Sequence, residues 1–309
     1  MILHLLAFSV IFERSFDGEL SPYNFFYGQK LILNRADGGS YVLNMKGKVL
    51  EKSGYWLIPY RGSLYEFEGG ASRMEDCSAI ARLSPDGSHM MAIYGCIKEG
   101  YSVEVYGTQI KTSGIIVEGG LTNRSAFIFS DGVLYIYDLK TSRLLRKYDD
   151  ISTYGVARLV CNGEFCLYSD LYDNLILFDS EGEIMARMDR DPKEKTRNWK
   201  SIYPLLLTDR YAVVGYEDPR KGAITGLISL EDFDFLWRRE IIYVEGDNTA
   251  CITRNRLILA SGDRIYDIAL DGRINYIHLF DAMWVVCRGK YVLTGGVGDS
   301  RRVKLLGVD

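Results

Sequence analysis

Ala126-Phe-Ile-Phe-Ser-Asp-Gly-Val-Leu-Tyr-Ile-Tyr-Asp-Leu-Lys-Thr-Ser-Arg-Leu-Leu-Arg-Lys-Tyr148 holds three apolar runs, cut once at Asp131-Gly132 and once at Lys140-Thr-Ser-Arg143. An Asp-Gly pair between short β-branched and aromatic runs is the pattern of a tight hairpin. The stretch therefore reads as strand, turn, strand, tight turn, strand. The same grammar returns at Phe165 to Leu171 with Leu175 to Arg187, and at Arg256 to Tyr276. Earlier it is present as Lys30 to Ala36 followed by Tyr41 to Leu50. Nowhere does apolar spacing at i, i+3, i+4, i+7 persist for a full helix, so the chain is expected to be all-β.

The tight turn before the last strand of each unit falls at Gly47, Thr108, Thr141, Gly182, Asp232 and Gly272, with separations of 61, 33, 41, 50 and 40 residues. A period near 40 to 50 residues, built from about four short strands, is the signature of a β-propeller. Phrases such as Tyr135-Ile-Tyr-Asp-Leu139 and Leu177-Phe-Asp-Ser-Glu-Gly-Glu183 resemble the third-to-fourth strand turns of WD40-like and quinoprotein-like propellers. The resemblance covers most of the chain. It implies one propeller domain over residues 1–309, with loops between blades, and between the second and third strands of a blade, gathered on one binding face.

The expected blades run Phe25 to Ser53, Trp56 to Ser113, Ile115 to Tyr148, Val156 to Met188, Ile202 to Ile241, Thr249 to Leu279, and from Met283 onward. That is seven blades of four antiparallel strands. The last segment supplies three strands, and residues 1–16, with the apolar run Ile2 to Phe12, are expected to add the fourth and close the ring. An additional hairpin at residues 56–68 is expected to be either decoration on the second blade or half of an eighth.

Of 309 residues, 47% are apolar and 25% charged, enough for a large core. Mean hydropathy is −0.06, and no apolar run approaches 18 residues, so no membrane insertion is expected. Lys and Arg number 37 against 41 Asp and Glu, a net charge of −4, so any polyanion site must be local. The three histidines, His4, His89 and His278, have no ligand partners at metal spacing. GxSxG, HExxH, paired Cys and His, and nucleotide loops are all missing from the sequence. Neither a metal nor a cofactor is expected.

The six cysteines show no CxxC spacing and read as buried small hydrophobes. Cys161 and Cys166, bracketing a hairpin turn, are the one pair for which a disulfide is geometrically open. Scattered cysteines and the lack of an export signal point to a cytoplasmic protein. Gln occurs only as Gln29 and Gln109, which leans towards a thermophilic source.

The segment from Arg187 to Lys200 carries six basic and three acidic side chains, including Arg190, Lys193, Lys195, Arg197 and Lys200, around Trp199. The loop Glu217 to Gly222, with Arg220 and Lys221, is expected beside it. Together they would suit docking of an acidic protein surface or, less so, a phosphate backbone. The plain alternative is a solvated loop pinned by its Trp. A weaker anion clamp is read at Arg301 and Arg302, after the glycines of Gly295 to Gly298. The expected function is a non-catalytic scaffold or subunit of a larger assembly with protein partners. The alternative is a propeller enzyme or small-ligand binder with a metal held in the central channel.

Overall fold

A computed structural model describes residues 9–308, apart from 75–76, 97–99, 115–116, 150, 152–157, 171–173, 190–199 and 297–300. Among them every regular element is a strand, as the missing 3.6-residue period requires. The strands form eight antiparallel sheets, consistent with a β-propeller. We number the sheets in chain order: sheet 1 (residues 25–53), sheet 2 (56–67), sheet 3 (70–114), sheet 4 (117–148), sheet 5 (158–188), sheet 6 (200–239), sheet 7 (250–282) and sheet 8 (284–307). Sheet 2 has two strands, sheet 3 has five and the others four; in sheet 8 the fourth is Ser9–Ser15.

The decisive stretch shows why the chain takes this form. In Ser125–Ser130 every side chain is buried, in Val133–Asp138 only Leu134 and Ile136 are, and Leu144–Tyr148 is almost wholly exposed. A continuous apolar run belongs to a strand covered on both faces, and an alternating one to a half-covered strand. Burial thus falls from the second strand to the fourth. Asp131 and Gly132 both take positive φ (49° and 89°), the turn that an Asp-Gly pair supplies without strain. The later tight turns are held by one device. The side-chain oxygen of Asn44 accepts the N–H of Lys46 (2.9 Å) and Lys48 (3.0 Å), and that of Asp179 accepts Glu181 (2.9 Å) and Glu183 (2.8 Å).

Just past each of these turns the outer strand bulges. The register skips Leu50, Leu145, Met185, Leu236 and Asn275 in sheets 1, 4, 5, 6 and 7. It skips Ile11 in the same way where Ser9–Ser15 pairs with Arg302–Gly307. A bulge twists an edge strand away from further pairing, so the device blunts each outer edge. The N-terminal strand carries the outer-strand mark although it comes from the opposite end of the chain.

Eight apolar clusters hold the sheets together, each shared by two neighbours. Seven join sheets consecutive in the chain. The eighth packs Trp284, Leu293 and Leu305 of sheet 8 on Leu31, Leu33 and Tyr41 of sheet 1. A polar clasp recurs at the rim. Tyr148 Oη donates to Gly182 O (2.7 Å), Arg239 Nε to Gly272 O (2.9 Å) and Arg14 Nη1 to Gly47 O (2.8 Å). Each glycine lies so close to the preceding sheet that a Cβ would strike Ile136, Trp237 or Phe12 respectively.

Two expectations are corrected. The hairpin at residues 56–67 is a sheet in its own right, so there are eight sheets where seven were expected. Alternate side chains of its first strand point to opposite neighbours, Leu57 to Ile32 and Val42 of sheet 1, and Trp56 and Ile58 to Ala81 and Met90 of sheet 3. The long 61-residue interval in the turn spacing is this inserted sheet.

The cysteines are not scattered in space. Cys161 and Cys166 face each other across their hairpin and are disulfide-bonded, as are Cys251 and Cys287, which join sheet 7 to sheet 8 (Cα–Cα 5.8 Å). Cys96 is also disulfide-bonded, and the backbone register sets Cys77 opposite it. Paired cysteines no longer carry the expectation of a reducing compartment. The Cys251–Cys287 bond spans 36 residues, and its loss as Cys251→Ser/Cys287→Ser should cost about 2–4 kcal/mol. Calorimetric melting of the double variant, and of the oxidised protein with and without reductant, checks this; superimposable melts would refute it.

Candidate functional site: a buried ionic cluster where the first strands meet

The first strands of sheets 4 to 8 lie side by side in succession, Val117–Leu121 against Arg158–Cys161, then Lys200–Leu207, Ala250–Thr253 and Trp284–Arg288. Charged residues within these strands are thereby brought together. Arg82, from the second strand of sheet 3, forms ion pairs with Glu118 of sheet 4 and with Asp247, just before sheet 7 (3.3 Å). Arg158, the first residue of sheet 5, is bonded to Asp247 and lies 3.9 Å from Glu118. Tyr23, before sheet 1, donates its hydroxyl to Asp247, and Arg158 stacks over the Tyr203 ring of sheet 6 at 5.2 Å. Six of the eight sheets, or the segments leading into them, contribute.

The cluster holds two guanidiniums and two carboxylates, so it is neutral as a whole and can be buried. Burial alone would raise the pKa of Asp247, but Arg82, Arg158 and the Tyr23 hydroxyl outweigh it and hold the carboxyl well below the ordinary range. Burial would likewise lower Arg82, yet Asp247 and Glu118 drive it upward. The Tyr23 phenol is pushed well above its usual value, first by burial and then by Asp247. Asp247 and Arg82 are therefore both charged at neutral pH.

Beside the cluster lies a cavity of about 240 Å³, lined by Tyr23, Phe25, Ala81, Arg82, Leu83, Gly120, Leu121, Leu159, Val160, Cys161, Asp247 and Asn248. Its polar wall is Arg82, Asp247, Asn248 and Tyr23, and the rest is mostly aliphatic. As to metal chemistry, the carboxylates of Glu118 and Asp247 are already bound to arginines, and a dication would have to displace both. No group of three or more His, Cys, Asp or Glu side chains suited to a metal is present among the described residues.

The sequence reading missed this cluster. Its signal was present as a charge inside an otherwise apolar or small-residue first or second strand: Arg82 in Ala79-Ile-Ala-Arg-Leu83, Glu118 in Val117-Glu-Gly-Gly-Leu121 and Arg158 before Leu159-Val160. Asp247 gave none, since an acidic loop residue is ordinary.

The residues singled out from sequence lie elsewhere. Arg190, Lys193, Lys195, Arg197 and Trp199 fall outside the described residues. Lys200 opens the first strand of sheet 6, with its backbone paired to Glu217. That pairing puts the end of the basic segment beside the turn bearing Arg220 and Lys221, both exposed, with Lys221 3.6 Å from Glu240. Arg301 and Arg302 lie at the start of the strand that pairs with Ser9–Ser15. Arg302 is ion-paired with Glu13, and the carbonyl of Arg301 accepts the N–H of Phe16 (2.9 Å), so an anion there would compete with Glu13.

No protein-family model matches the chain, and no curated protein matches it in sequence. Solved structures do resemble it. Raptor from Chaetomium thermophilum superimposes with a TM-score of 0.63 at 9% identity, over 98% of this chain and 29% of that one. This chain thus spans under a third of that protein. The Cps50 (Swd1) β-propeller domain of Myceliophteria thermophila gives 0.61 at 12% identity, over 98% and 100% of the two chains. The computationally designed Ika8 protein gives 0.60 at 11%, over 96% and 98%. At such identities the likeness speaks to the fold alone, and that fold is a β-propeller.

Proposed function

We propose that this chain is a closed propeller that acts as a non-catalytic docking platform for a protein partner. In this reading seven blades and an inserted two-stranded sheet make the ring, Ser9–Ser15 closes it, and the partner meets a basic rim formed by Arg190 to Lys200 with Arg220 and Lys221. The observation that carries it is the Lys200–Glu217 pairing, which sets the ends of two basic segments side by side. Exposed lysines and arginines on one rim complement an acidic protein surface and speed encounter with it.

The test is affinity purification from the native host with the wild type and with a variant carrying Lys193, Lys195, Arg197, Trp199, Arg220 and Lys221 all changed to Ala. The wild type should retain a partner that the variant loses, while both melt at the same temperature. A variant that keeps the partner removes this rim from consideration.

A further inference from the structure

Two outer strands lack the bulge that blunts the others, and they are neighbours on the ring. Ser63–Phe67 pairs with Trp56–Tyr60, and Lys111–Gly114 with Gly100–Tyr106, without a shift of register. Sheet 2 also stops early. Leu64 packs with Val42 in the last strand but one of sheet 1, and the Tyr65 and Phe67 rings lie 5.9 and 6.4 Å from Tyr106 in the last strand but one of sheet 3. Between Val49–Ser53 and Lys111–Gly114, the last strands of those two sheets, the ring is therefore one strand short.

The edge left behind is unpaired in a definite phase. Arg61 and Gly62 (φ 49° and 72°) close a two-residue turn, so Tyr60 and Ser63 exchange hydrogen bonds and every second pair after them does the same. Pro59 with Leu64, and Leu57 with Glu66, are the pairs that do not. On the inner side this phase is answered, because Pro59 has no N–H and that of Leu57 donates to Asn34 Oδ1 (3.0 Å) and Ser40 Oγ (3.0 Å). On the outer side the N–H and C=O of Leu64 and Glu66 have no partner among the described residues. Such an edge is a template for one more strand.

The lane beside it is acidic. Val42 and Ala92 face sheet 2, so Glu51 and Glu104, directly across from them in the next strands, face it too. With Glu66 that makes three carboxylates against one ammonium, Lys111, which is paired with Glu104 (2.9 Å). At the two ends the exposed Arg61 and Glu68 offset each other. Tyr65, 38% exposed, stands between the Tyr60 and Tyr106 rings. Carboxylates beside an exposed tyrosine suit Lys and Arg side chains. A second copy of this chain cannot enter, because its own edge is recessed between two last strands in the same way.

We propose that the outer edge of Ser63–Phe67 takes an extended, Lys- or Arg-rich segment of a partner protein as an added strand, bonded to the backbone of Leu64 and Glu66. This site calls for a partner surface of opposite sign to the one docked on the basic rim, and it stands or falls apart from that rim.

Calorimetric titration of the full chain with a blocked heptapeptide of alternating Lys and Val tests the proposal. The peptide should bind, and its counterpart with Glu in place of Lys should not. Two further peptides carry N-methyl groups on every Val or on every Lys. Only alternate N–H groups of an added strand face its neighbour, so one methylated peptide should lose at least about tenfold in affinity and the other less than about threefold. Glu66→Pro removes an outward N–H without breaking the hairpin and should also cost at least about tenfold, whereas Glu66→Gln, which keeps that N–H, should cost less. Absence of heat with the basic peptide at about 1 mM, equal binding of the acidic one, equal losses for the two methylated peptides, or full binding by a folded Glu66→Pro variant would each overturn it. If Glu66→Pro does not fold, the comparison of the four peptides on the wild type decides alone.

Discussion

Asp247→Ala should lower the stability of the fold by about 3–5 kcal/mol, the cost of removing one partner from a buried ionic group. Arg82, Arg158 and the Tyr23 hydroxyl all converge on the Asp247 carboxylate. Without it two largely buried guanidiniums face Glu118 alone. Neither guanidinium can shed its proton to escape the mismatch. Coupling gives the sharper test, because Asp247→Leu with Arg158→Met removes charges of both signs and should be less destabilised than the sum of the single variants. Additive losses in a double-mutant cycle would show that the contacts are incidental.

The same group sets a pH dependence. The folded-state pKa of Asp247 is depressed below the ordinary carboxylate value, so the folded chain binds its proton less readily than the unfolded one. Its contribution is full above the unfolded value, near 4, and is lost as pH falls towards the folded one. The wild type should lose stability on acidification below about pH 5, and Asp247→Asn should flatten that slope. A variant with the wild-type slope would place the acid sensitivity elsewhere.

The sheets were legible in the sequence because each strand's burial is a local matter. Phe127 and Ile128 are both apolar because sheet 5 lies on one face of their strand and sheet 3 on the other, and Leu144 sits on an outer edge that the repeat places at a fixed distance from the turn. The hairpin at residues 56–67 was visible but ambiguous, since two strands look alike whether they decorate a sheet or stand between two. Only the opposed directions of Leu57 and Ile58 separate the cases, and that depends on neighbours far along the chain. Cysteine pairing and the ionic cluster were hidden for the same reason. Cys251 and Cys287, or Arg82 and Asp247, are brought together by the arrangement of the sheets, which local spacing does not encode.

Removal of residues 1–15 should abolish the single cooperative melt, because the proposed closure depends on them. Ser9–Ser15 pairs with Arg302–Gly307, so its loss strips the backbone partners from one side of that strand. At about 0.5–1.5 kcal/mol net for each ladder bond, and about 1 kcal/mol for the half-buried Phe12 side chain packed with sheets 1 and 8, the loss is several kcal/mol. A domain of this kind has roughly 5–15 kcal/mol in all. Truncation also deletes the Arg14 clasp to Gly47, which ties sheet 8 to sheet 1, and the Glu13 pairs with Arg302 and Lys304, which tie Ser9–Ser15 to Arg302–Gly307. A peptide of residues 1–16 added in trans should bind the truncated chain and restore the melt, since the edge it fills is otherwise intact. An ordinary terminal extension would be dispensable, and a truncated chain melting within about 1.5 °C of the full one, a shift worth about 1 kcal/mol, would show the ring to be held by other means.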